Sequence, residues 1–119
     1  MKNFAPDIYR QRLIVEGIYT CELLEASDLN VFLMELADKL KMTIVFGPHV
    51  MNLAGEINPK HAGFEAITIW SESGCQLYTW NRNNFFTCDI YSCKKFDVKE
   101  TVDFIRDFFM AQEIEYREV

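Results

Sequence analysis

The chain has 119 residues, 50% of them hydrophobic and 25% charged, with a formal net charge of −6. That length suits one domain spanning 1–119 around a single core, and the apolar content excludes a disordered chain. No cationic cluster is larger than Lys94-Lys95 or the Lys39/Lys41 pair, so the acidic balance excludes a nucleic-acid backbone as partner.

No apolar run approaches the roughly 20 residues that cross a bilayer, so no membrane is expected as partner. Met1 to Asp7 lacks the charged and apolar regions of a signal peptide. Cys21, Cys75, Cys88 and Cys93 fall in strand-like contexts without a CxxC pair and read as reduced thiols. Together these predict a cytoplasmic protein.

In chain order, Arg12 to Thr20 predicts a first strand, apolar at Leu13, Val15 and Ile18, with Gly17 interrupting the alternation as at a bulge. Ser27 is the expected N-cap of a helix running to about Lys41, with Leu29, Phe32, Leu33, Leu36, Ala37 and Leu40 at three- and four-residue steps. Met42 to Phe46 predicts a second strand. Gly47 to Ala62, which holds two of the three prolines, is expected to be the longest irregular stretch, either a functional lid or a mobile loop. His49 and His61 lie in it without ligand spacing to a cysteine, so no metal site is expected.

Ala66 to Trp70 and Cys75 to Trp80 are rich in β-branched and aromatic residues and predict two strands meeting at a corner, Ser71-Glu72-Ser73-Gly74. A polar turn at Asn81 to Asn84 leads to a third such run, Phe85 to Ser92. Asp97-Val98-Lys99-Glu100 fits a capping box opening a helix to about Gln112, with a stripe of Val98, Val102, Ile105 and Phe109. Ile114 to Val119 predicts a last short strand. This order predicts an α+β two-layer sandwich, a mainly antiparallel sheet with two helices on one face. Ile67, Ile69 and Phe86 are expected on one face of the central strands, and Trp70, Leu77 and Phe85 on the other. A second copy burying the face without helices, as a symmetric homodimer, is therefore expected.

The corner admits two readings. Glycine at a hairpin is ordinary turn chemistry. A serine at a strained corner, with its hydroxyl close to the preceding carbonyl, is also a place where a backbone can react with itself. Cys93 taken alone is a small apolar residue at a strand end. Arg82 is either a solvated turn residue or a holder of an anionic group such as a substrate carboxylate.

Ser71-Glu72-Ser73, then Tyr78-Thr79-Trp80, then Asp89-Ile90-Tyr91-Ser92-Cys93, at these spacings, resemble the core of the prokaryotic S-adenosylmethionine decarboxylase family. Leu13 to Cys21 resembles the family's first strand, and Val98 to Val119 its closing helix and strand. The resemblance implies a proenzyme that cuts itself between Glu72 and Ser73 and turns Ser73 into a pyruvoyl group, a self-derived cofactor. That group would decarboxylate S-adenosylmethionine for polyamine (spermidine) synthesis, with Cys93 returning a proton to carbon. The catalytic positions so implied are Ser73, Cys93, Glu72 and Tyr78; Trp80, Arg82 and Glu65 fall at substrate-binding positions.

The chain departs from the family's pattern around this centre. Tyr78 replaces a histidine that assists processing, Glu65 a serine helper, and Gly74 a histidine directly after the reactive serine. Asn81-Arg82 stands where the family continues with proline and a ribose-binding carboxylate, which arginine cannot imitate as an acceptor. Three readings follow: a decarboxylase of S-adenosylmethionine, a pyruvoyl decarboxylase of ornithine or arginine on the same scaffold, and an unprocessed paralogue that binds a ligand or partner.

Overall fold

In the computed structural model, which describes residues 1–22, 25–53 and 58–119, alternation builds a single sheet. Six strands and two helices run in the order β1 (Gln11–Ile18), α1 (Ala26–Lys39), β2 (Ile44–Asn52), β3 (Phe64–Trp70), β4 (Ser73–Trp80), β5 (Phe85–Ser92), α2 (Val98–Phe109) and β6 (Glu113–Glu118). The sheet order is β2-β3-β4-β5-β1-β6, and every neighbouring pair is antiparallel. This is the α+β sandwich expected from the sequence.

Along β1, β4 and β5 every second residue is buried, which gives the sheet one helix-covered face and one open face. Leu13, Val15, Trp70, Leu77, Phe86 and Cys88 point to the covered face and join Leu29, Phe32, Leu33 and Leu36 of α1 and Val102, Ile105 and Phe109 of α2 in one core. Phe109 is its centre, stacked on Phe86 at a centroid distance of 4.0 Å and edge-on to Phe32 at 5.2 Å. Full burial of each such ring contributes about 1.5–3 kcal/mol.

The partition of the two phenylalanines corrects the sequence expectation. Phe86 lies with Trp70 and Leu77 on the covered face, and Phe85 with Ile67 and Ile69 on the open one. The phase of β5 is set by the turn before it, where Asn84 adopts a left-handed conformation (φ 49°) after one 3-10 turn at Asn81–Asn83.

Helix boundaries follow local chemistry. Helix α2 is capped by Asp97, whose side chain accepts from the Glu100 N–H at 2.9 Å, and it stops three residues short of Gln112, at Phe109, with Met110 left-handed. For α1 the N-cap is Glu25 rather than Ser27, and its N–H donates to Asp28 Oδ2 at 3.1 Å. The helix ends at Lys39, before a left-handed Lys41.

Two backbone expectations are overturned. Gly17 forms no bulge, since β1 pairs in unbroken register with β5 and β6 through it. A Cβ there would meet Glu113 O at 2.6 Å and the Phe86 ring at 2.9 Å, so close packing is what requires glycine. The stretch from Gly47 is not irregular as far as Asn52. It continues β2 as an edge strand with register shifts around a cis Gly47-Pro48 bond. The remainder of the expected loop includes residues 54–57, outside the described ones. Among the described residues no helix is long and apolar enough to cross a membrane.

Candidate active site

The corner between β3 and β4 is a two-residue turn, Ser71-Glu72, closed by the pair Trp70 and Ser73. Ser73 and Gly74 are therefore the first residues of β4 rather than part of the turn. Glu72 takes φ 61°, the left-handed region that costs a residue with a Cβ about 1–2 kcal/mol. The Ser71 N–H is tied to Thr43 O at 2.8 Å. Strain thus sits on the residue that precedes Ser73.

Ser73 is buried on the covered side of β4, in phase with Cys75 and Leu77. Its Oγ accepts the main-chain N–H of Cys93 at 3.1 Å. The segment beyond β5 that supplies this donor is held in place twice. Ser92 Oγ accepts the Lys94 N–H at 2.9 Å, and the buried Gln11 side chain both accepts the Phe96 N–H at 3.0 Å and donates to Phe96 O at 3.2 Å. Cys93 Sγ in turn lies 3.5 Å from the Tyr91 hydroxyl. Trp70, paired with Ser73, is fully buried, and its indole N–H has no acceptor among the described residues.

The structure thus gathers Glu72, Ser73 and Cys93 at one end of the sheet. It does not bring Tyr78 to them. Tyr78 is five positions along β4 from Ser73, about 17 Å for an extended strand, and an odd offset turns it to the open face. There it stands directly across from Glu65. Trp80 shares that end of the open face, its indole donating to His61 Nδ1 at 3.1 Å and its ring 5.3 Å from Phe85. Arg82 is exposed in the 3-10 turn that follows. The sequence-derived site residues therefore form two groups at opposite ends of the β3–β4 hairpin.

Between the groups, a cavity of about 420 Å³ opens on the open face, lined by Ser73, Gly74, Ile67, Ile69, Asp89, Tyr91 and Arg12 among others. Gly74 leaves this space empty of side chain, and a Cβ there would meet Thr68 O at 2.9 Å. Burial, and then the nearby Glu16 carboxylate, push the Asp89 carboxyl above its usual range. The Arg12 guanidinium lies 5.0 Å from the Tyr91 ring centroid. Tyr91 and Arg12 were not singled out by sequence reasoning; the two-residue spacing from Tyr91 to Cys93 was the available signal.

The four cysteines are free thiols, Cys75 and Cys88 lying buried with sulfurs 3.4 Å apart. The Cys75 thiol is held well above the ordinary range, first by its hydrogen bond to Cys88 and then by burial. Among the described residues no cluster of three metal-ligating side chains occurs.

The sequence profile described as S-adenosylmethionine decarboxylase matches residues 11–119. Among solved structures, the crystal structure of the adenosylmethionine decarboxylase from Aquifex aeolicus VF5 is similar at a TM-score of 0.74 and 13% identity, over 94% of this chain and 89% of that one. At that identity the likeness speaks for the fold.

Proposed function

Given that this chain belongs to the S-adenosylmethionine decarboxylase family, we propose that it is a proenzyme that divides itself between Glu72 and Ser73 and decarboxylates a small amine-bearing substrate, S-adenosylmethionine in the first instance, toward spermidine. The observation that carries this reading is the left-handed Glu72 directly before a buried Ser73 whose Oγ is held by the Cys93 N–H. Attack of Ser73 Oγ on the Glu72 carbonyl carbon forms an ester as the peptide C–N bond breaks, and it relieves the main-chain strain at Glu72. The hydrogen bond from Cys93 fixes where Oγ sits, and the unengaged indole N–H of Trp70 is a donor on the strand paired with it.

The residues around Ser73 fit the pyruvoyl group that the family implies: a serine next to a strained bond, a cysteine whose main chain reaches its hydroxyl, and a cavity lined in part by Ser73 and Tyr91. When present, such a group supplies an electron-withdrawing carbonyl that favours loss of carbon dioxide from an attached amino acid. In this chain Cys93 holds the proton to be returned to carbon, and Ile67 and Ile69 supply an apolar wall on the substrate side.

The open face is proposed to be covered by a second copy in a homodimer. Ile14, Ile18, Ile67, Ile69, Trp80 and Phe85 put apolar side chains on it between charged ones such as Glu16 and Asp89, and among the described residues both helices pack on the other face. The location proposed is the cytoplasm, on the strength of the reduced thiols.

Intact-mass measurement of purified protein tests the reading. Two species, Met1 to Glu72 and Ser73 to Val119, are expected. A single chain of 14.0 kDa that never divides on long incubation overturns it. A second reading, an unprocessed paralogue acting as a binding or partner protein, is favoured by one observation: Tyr78, at the position of the family's processing histidine, faces away from Ser73. Division followed by turnover of ornithine or arginine, and not of S-adenosylmethionine, selects the same-scaffold alternative to which Arg82 points.

A further inference from the structure

The hydroxyl of Tyr91 approaches Cys93 Sγ at 3.5 Å, while the main chain of Cys93 is already committed to Ser73 Oγ. Across one neighbouring strand Arg12 pairs with Tyr91 and sets its guanidinium over the ring; across the other, Tyr91 faces Gly74. With no side chain at that position, the phenol forms part of the wall of the cavity that reaches Ser73.

We infer that Tyr91 is a positioning residue: its hydroxyl fixes the orientation of the Cys93 thiol, whose own main-chain N–H reaches Ser73 Oγ, and donates a hydrogen bond to the sulfur once the thiol has given up its proton. The inference rests on the decarboxylase reading for its role in turnover, but the contact does not.

The chemistry favours this direction. A thiol is a weak donor and a thiolate is an acceptor only, so a phenol beside it becomes the donor of a charge-assisted bond. Stacking under Arg12 requires only the ring, which a phenylalanine would supply equally, so the hydroxyl is free for the sulfur.

The charges facing this pair are Arg12 and Arg10 from the β1 side and Asp89 on β5, while the Lys94 ammonium is turned away to Lys41 O; β4 presents Gly74 and Ser73 at this level. The hydrogen bond to Cys93, then burial, raise the Tyr91 phenol above its usual value, against the lowering effect of the two arginines. The phenol therefore keeps its proton, and its capacity to donate, through neutral pH.

The test is the rate at which iodoacetamide alkylates Cys93, followed by peptide mass spectrometry across pH in the full chain and in Tyr91→Phe. Loss of the hydroxyl is expected to raise the alkylation midpoint of Cys93 by about one pH unit and to slow its reaction near neutrality about tenfold. Cys21, a half-buried thiol elsewhere, is expected to react alike in both proteins. An unchanged Cys93 midpoint, or a parallel shift at Cys21, overturns the inference. A shifted Cys93 midpoint in a chain that never divides at Glu72 supports the Tyr91 contact while overturning the decarboxylase reading.

Discussion

The main-chain N–H of Cys93 donates to Ser73 Oγ across 3.1 Å, joining the first residue of β4 to the residue just past β5. One is the proposed nucleophile and the other the proposed proton donor, so a single hydrogen bond ties the serine hydroxyl to the main chain that carries the thiol.

Ser73→Ala removes the hydroxyl and orphans that N–H. Division at Glu72 is expected to be abolished, with one mass of the full chain, while stability falls by about 1 kcal/mol in a denaturant titration. Division that persists in this variant places the reactive bond elsewhere.

Gly74→His restores the residue that the family carries after its serine, and it is expected to harm this chain. A Cβ at that position meets Thr68 O at 2.9 Å, a main-chain atom that cannot swing aside. A loss of about 1–3 kcal/mol is expected, read as a lower thermal midpoint. An unchanged midpoint would mean that β3 and β4 separate there at little cost.

The Asp89 carboxyl, raised by burial and by Glu16, makes stability fall as pH rises. The folded state binds this proton more tightly than the unfolded chain, so the loss begins at the ordinary carboxylate value of about 4 and is complete above the raised folded value. Asp89→Asn is expected to melt higher than the parent at neutral pH, with the difference closing below about pH 4. Parallel melting curves across that range would remove Asp89 from the account.

Phe109→Ala removes the ring between Phe86 and Phe32. A loss of about 3–5 kcal/mol is expected, a large share of a small domain's stability, seen as a collapse of the urea midpoint.

Ile67→Glu places a carboxylate in the middle of the open face. Sedimentation is expected to show a dimer for the parent and a monomer for the variant. A parent that stays monomeric at high micromolar concentration removes the homodimer.

What the sequence disclosed tracks what is local. The start of α2 was legible because Asp97 and Glu100 are three residues apart and the cap is a contact between them. The stripe of α1 was legible for the same kind of reason, whereas its first residue was not, because Ser27 is of the usual capping type while the cap is Glu25, outside that set and held through Asp28. The purpose of Gly17 was hidden because its cause, the ring of Phe86, arrives from another strand. The sides of Phe85 and Phe86 were hidden because adjacent residues exchange faces with a one-residue change in the turn before them.

At the site, the corner and Cys93 were found through resemblance. Their contact, and the separation of Tyr78 from both, follow from register and face, which no spacing of single residues displays. Tyr91 escaped notice because its value lies in one hydroxyl atom placed by the end of a strand.

The strand order has a consequence for what a severed molecule would be. Of the two pieces flanking the Glu72–Ser73 bond, the first supplies β1, β2 and β3 and the second β4, β5 and β6, yet β1 lies between β5 and β6. The halves are interleaved like clasped fingers. A nicked molecule would migrate as one body in native buffer and come apart only in denaturant, and its newly released ends would gain freedom at the corner without loosening the rest.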